Sequence, residues 1–136
     1  MFPLLGLHSD WGILALRVFF GIVFIVHGWP KVRNWEETAR NFEAMGFRPG
    51  KVLGPLVAIV EFFGGLLLVG GLYTQLVAAL LVVQFAVIMI WKVKERKNFV
   101  GGWEFDFILL GVAILFLVLG GGAFSLERMF SLGGNF

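Results

Sequence analysis

The sequence predicts an all-α integral membrane protein: an antiparallel four-helix bundle with a short interfacial helix between its first and second spans. Three observations predict this. Hydrophobic residues make up 59% of the 136 residues and charged residues 15%, against roughly 45–50% and about 25% in soluble domains. A soluble chain this short cannot hide so much apolar surface. The apolar residues also fall into four runs, each near the ~20 residues a helix needs to cross a ~30 Å hydrocarbon core. Within the runs apolar residues are continuous and not alternating, which argues against a β-barrel.

The first span is expected over residues 11–29. It has no positively charged leader and no small-residue cleavage site after it, so it reads as a retained helix and not a signal peptide. The stretch 30–51 has another texture. Trp35, Ala39, Phe42 and Met45 recur at three- and four-residue spacing, with Glu36, Glu37, Arg40 and Glu43 between them. That pattern is a short amphipathic helix lying at the membrane surface. Gly46 ends it and Pro49 prevents its resumption. The second and third spans are expected over 52–72 and 73–91, nearly continuous, with a tight turn at Gly70, Gly71 and Thr74. The fourth is expected over 103–121. All four belong to a single domain covering 1–136.

Basic residues set the orientation. Lys31, Arg33, Arg40, Arg48 and Lys51 follow the first span, and Lys92, Lys94, Arg96 and Lys97 follow the third. With an even number of crossings these clusters share one side, expected to be the cytoplasmic face of the plasma membrane. Both termini are then outside the cytoplasm. Trp11, Trp29, Trp91 and Trp103 mark the span ends as an aromatic belt would.

Composition also narrows the function. A net charge of +2 without a basic, aromatic-interleaved run gives nucleic acid nothing to follow. Cysteine is absent, which excludes disulfides, thiol redox chemistry, Fe–S clusters and Cys-ligated metals in this chain. Electrons, if they pass, use a bound cofactor or another chain. Bis-histidine haem is disfavoured: His8 and His27 lie nineteen residues apart, roughly 28 Å along one helix. A metal held by His27, Glu61, Glu104 and Asp106 lacks any i, i+3 or i, i+4 ligand pair.

Charged groups at mid-bilayer cost at least ~2.5–3.5 kcal/mol and need an explanation. Arg17 and His27 share one stripe of the first span, with positions 20, 24 and 31. Glu61 and Gln84 stand near the middles of the second and third spans, and Glu104 and Asp106 open the fourth. Gly21, Gly28, Gly54 and Gly65 let the helices carrying these residues approach closely. The expected arrangement pairs Arg17 with Glu61. It places His27, Glu61 and Asp106 as candidate catalytic groups in a pocket of the cytoplasmic half, below Arg17. Arg17, Gln84 and Glu104 complete the candidate ligand-binding set.

The chain resembles the DoxX family of small membrane proteins. The resemblance is carried by Leu16-Arg17 with Gly21, Phe24 and His27-Gly28-Trp29-Pro30-Lys31; by Phe42 to Gly46 with Phe47-Arg48-Pro49; by Glu61-Phe62-Phe63-Gly64-Gly65 with Gly70, Gly71 and Thr74; and by Gly101-Gly102-Trp103-Glu104 and the closing stretch Gly120-Gly121-Gly122-Ala123-Phe124-Ser125-Leu126. It covers about residues 12–130. Two positions depart from it: Glu127 stands where the closing motif usually has Asp, and Trp91 stands near a frequent third-helix histidine. The resemblance implies a four-helix membrane protein linked to respiratory or redox complexes, with DoxD-like relatives associated with quinone-coupled thiosulfate oxidation. It points to a quinone as the bound cofactor and a soluble or membrane redox partner beside the lipid bilayer; the short length of the chain adds a homo-oligomer as an option. A non-catalytic scaffold for a soluble oxidoreductase and a small carrier are the competing functions.

Overall fold

The computed structural model describes residues 3–130, with side chains from His8 onward. The chain ends, whose side of the membrane the charge pattern predicts, lie outside the described residues. Six α-helices follow in order: α1 Pro3–Arg33, α2 Trp35–Ala44, α3 Gly50–Gly70, α4 Thr74–Lys94, α5 Glu104–Leu119 and α6 Leu126–Met129. No strand occurs among the described residues. Among the described residues four segments are long and apolar enough to cross a membrane: His8–Arg33, Gly50–Gly70, Thr74–Lys94 and Phe99–Leu119. The chain is a multi-pass membrane protein, an all-α bundle as its composition requires.

The helix boundaries differ from the expected spans in one consequential way. α1 runs past Pro30 to Arg33, and α4 runs past Trp91 to Lys94. Pro30 has no N–H, so one i→i−4 bond is missing there, yet the helix continues for three more residues. Lys31 and Lys92 are therefore helical residues, not loop residues.

α1 lies against α3 through a seam of small residues. A Cβ on Gly28 would sit 2.8 Å from the Phe62 Cα, so only glycine lets the two backbones approach this closely. α2 docks on the first turns of α3, where Gly50 and Gly54 face Ala39. The Glu43 carboxylate accepts the Gly50 N–H at 2.7 Å, fixing the start of α3. The α3–α4 turn needs left-handed backbone at Gly71 (φ 73°) and Tyr73 (φ 50°). The expected turn at Gly70, Gly71 and Thr74 thus forms where the glycines permit it.

The apolar core is concentrated toward this turn. Phe20, Phe24, Leu68, Val77, Ala78, Leu81, Phe85, Leu109, Ala113 and Phe116 form one buried cluster. Phe20 packs on Phe24 edge to face and stacks on Phe116, with centroids 4.8 and 5.7 Å apart. The bundle thus has a packed half near the α3–α4 turn. Its other half, near the basic loops, is hollow.

Candidate functional site

Arg17 belongs to the packed half. It is 1% exposed. Its guanidinium donates to the carbonyl of Gly121 and, at 2.9 Å, to that of Phe124. Both carbonyls follow the C-terminus of α5, and Gly71, just after α3, approaches the guanidinium so closely that a Cβ would lie 2.8 Å from its Cζ. Two helix C-termini, each the negative end of its dipole, therefore surround the cation. Glu127 completes this end. Its carboxylate accepts the Thr74 and Gly121 N–H groups, each at 3.1 Å. Ser125 caps α6 by accepting the Arg128 N–H and donates to the Gly122 carbonyl at 2.8 Å. The closing stretch after α5 is thereby bound back onto the α3–α4 turn.

The expected Arg17–Glu61 pair does not form. Arg17 is engaged by backbone carbonyls at its own end of the bundle, and Glu61 is engaged elsewhere. The Glu61 carboxylate accepts from Lys31 Nζ at 2.7 Å and from Gln84 Nε2 at 2.7 Å. One carboxylate thus ties α1, α3 and α4 together. Asp106, buried at the start of α5, accepts from Lys92 Nζ at 2.5 Å. Lys92 also donates to the Gly102 carbonyl at 3.2 Å. Each lysine rises from the C-terminal turns of its helix and turns its ammonium inward, where a fixed carboxylate offsets the desolvation.

Both pairs line one cavity of about 730 Å³. Lys31, Glu61, Gln84, Lys92, Asp106 and His27 supply its polar lining, and Phe24, Phe85, Phe105, Val60 and Leu109 are among its apolar walls. The helix α2 and the segment after it form the floor through Thr38, Phe42, Met45 and Phe47. The indole of Trp91 donates to the Met45 carbonyl at 3.0 Å and holds that floor to α4.

The cavity brings together four of the expected residues: His27, Glu61, Gln84 and Asp106. His27 is exposed at its rim, with its ring centroid 6.0 Å from that of Phe105. Arg17 and Glu104 are not brought to it. Glu104 accepts the Gly101 N–H at 3.0 Å and closes the turn before α5, a position dictated by its place in the first helical turn. Lys31 and Lys92 are the residues that sequence reasoning misses, because each reads as part of a basic loop. Position 31 does fall on the stripe shared with His27, and position 92 lies two turns beyond Gln84, so helical spacing held the signal. Among the described residues no three His, Asp or Glu side chains gather to hold a metal ion. His8 and His27 stand on one continuous helix, facing opposite ends of the bundle.

The DoxX family model matches residues 12–94. The chain belongs to the DoxX family. Two relatives extend the similarity beyond the matched segment. A protein of Bacillus subtilis (strain 168) named "Putative oxidoreductase CatD" is 34% identical over 119 residues, covering 85% of this chain and 84% of its own. A protein of Escherichia coli (strain K12) named "Inner membrane protein YqjF" is 32% identical over 126 residues, covering 89% of this chain and 93% of its own. No solved structure matches the chain. In this DoxX protein the two ion pairs and the Arg17 node lie in opposite halves of one bundle.

Proposed function

We propose that this DoxX protein is a redox-associated subunit of the plasma membrane that holds a quinone-like ligand in the cavity between its helices. The carrying observation is the cavity itself: about 730 Å³, walled by aromatic and aliphatic side chains, with two lysine–carboxylate pairs and a glutamine set into it. Its size falls within the roughly 300–1,000 Å³ of small-molecule sites, and its lining has their usual form, apolar with few placed polar groups. The donor set suits a quinone ring. Lys31, Lys92 and Gln84 carry N–H groups for carbonyl oxygens, and Phe24, Phe85 and Phe105 offer flat apolar surface. A quinone supplies two-electron redox chemistry, which this cysteine-free chain lacks in its own side chains. The chain's part is to bind and orient the ring and to keep paired charges beside its oxygens.

The oxidoreductase name of the Bacillus subtilis relative and the inner-membrane name of the Escherichia coli relative support this assignment. Electrons would come from a partner. The exposed Arg33, Arg40, Arg48, Lys51, Lys94, Arg96 and Lys97 at the end nearest the cavity offer such a partner a basic docking face. The test is quinone binding by the protein in lipid nanodiscs, wild type against Glu61→Gln. We expect Glu61→Gln to remain folded and to lose quinone affinity by about tenfold or more, because Lys31 and Gln84 lose the carboxylate that positions their N–H groups toward the ring. Equal binding by both proteins would leave Glu61 with a structural role only and contradict the assignment.

A further inference from the structure

The cavity is closed on some sides and open on others, and the openings differ in chemistry. Between α1 and α3 the glycine seam leaves no gap. On the α1–α5 side His27 and Phe105 also line the cavity and are exposed, with ring centroids 6.0 Å apart, so this opening carries an imidazole at its rim. Toward the basic loops the floor of Phe42, Met45 and Phe47 is latched by Trp91, with the Phe47 and Trp91 rings 5.9 Å apart. The α3–α4 side differs. These helices touch near their turn, where Gly64 faces Val77. Farther along, Leu56 on α3 and Leu80, Val83 and Val87 on α4 both line the cavity and are exposed on the outer surface of the bundle. A residue that does both stands at an opening. In a membrane that opening faces hydrocarbon, and none of its four side chains carries a polar atom.

Resting on the proposed ligand class, the geometry points to a lateral portal between α3 and α4. The ligand enters from the bilayer, seats its polar ring against the N–H groups of Lys31 and Gln84 that Glu61 positions, and leaves a long hydrocarbon tail along Leu56, Leu80, Val83 and Val87. The continuity of the apolar opening with the polar interior selects this amphiphile. A tailless polar solute gains nothing from an opening with no polar atom. A simple phospholipid has a tail but no flat ring for the aromatic walls. Glu61 and Gln84, joined at 2.7 Å, stand inside the opening, so the first polar atoms an entering head meets are theirs.

Val83 is the most exposed of the four at 63%, so a larger side chain there narrows the opening with little disturbance of the core. Binding of a long-tailed quinone and of the same ring without its tail is compared in nanodiscs for wild type and Val83→Trp. The long-tailed compound is expected to lose about tenfold in affinity or entry rate, and the tailless ring less than about twofold. Leu56→Trp, from the facing helix, should act the same way and carries the test if the first variant unfolds. Equal loss for both compounds, or none for either, overturns the portal. A second arm is independent of quinone. The chain has no cysteine, so Val57→Cys places a lone thiol in the cavity wall. A long-alkyl maleimide dissolved in the bilayer should label it faster than an impermeant one, and Val83→Trp should slow that labelling. Faster reaction with the impermeant reagent overturns the portal. If the wild type binds neither quinone, the ligand assignment fails while the labelling arm still decides the route.

Discussion

The two halves of this bundle bury charge in different ways. Near the α3–α4 turn Arg17 is surrounded by protein: two carbonyls, two helix C-termini and the aromatic core below it. Near the basic loops Glu61 and Asp106 meet lysines across the wall of a cavity. Both solutions avoid a charge facing lipid, which is what the bilayer demands. Only the second leaves room beside the charge. A buried ion is thus a weak indicator of a site by itself, and the free volume next to it separates a fastening from a binding group.

Breaking the packed half should give the largest effect. Arg17→Met removes the donor of two buried carbonyls and strands the Glu127 carboxylate without its nearby cation. We expect a loss of about 3–5 kcal/mol, the scale of a broken buried charge network, read as a lowered unfolding midpoint in detergent. A stability loss under about 1 kcal/mol would mean that the closing stretch holds without it. Gly28→Ala tests the seam that both halves share. The new methyl would press on the Phe62 backbone, and we expect about 1–3 kcal/mol of destabilisation, the usual cost of overpacking. Gly12, with nothing within 4 Å of its Cβ position, is the matched control.

A smaller effect should sharpen the contrast. Lys31 is 34% exposed on its side chain, so its coupling to Glu61 is screened and should amount to only about 1 kcal/mol in a Lys31→Met, Glu61→Gln double-mutant cycle. The corresponding Arg17, Glu61 cycle should show none. Coupling of Arg17 to Glu61 equal to that of Lys31 would place the two halves in one network and remove the distinction.

The fold was legible because lipid imposes it. Continuous apolar runs of the right length admit little besides helices, and Gly71 and Gly46 mark the chain reversals that observed positive φ values confirm. The amphipathic spacing from Trp35 to Met45 likewise gives α2. The site was legible only in part. Depth along a helix places His27, Glu61 and Asp106 together. The pairing of Arg17 with Glu61 failed because opposite charge was matched without weighing the backbone carbonyls that helix C-termini provide. Lys31 and Lys92 are not legible as site residues because the positive-inside pattern accounts for any lysine at a span end, whether it points to water or back into the bundle. Glu127 was visible only as a departure in a motif; its task of joining the Thr74 and Gly121 N–H groups depends on a contact distant in sequence.

The most direct measurement compares the halves in one experiment: mass spectrometry of the lipid-soluble molecules retained after mild detergent extraction. Three proteins are compared, the wild type, a Lys92→Met/Asp106→Asn variant that neutralises a pair in the hollow half, and Glu127→Gln in the packed half. If the cavity is the binding site and the Arg17 end is a fastening, the wild type and folded Glu127→Gln retain the same quinone-class molecule. The neutralised pair should lose most of it while staying folded. Equal retention by all three proteins, or loss in Glu127→Gln alone, would contradict the account.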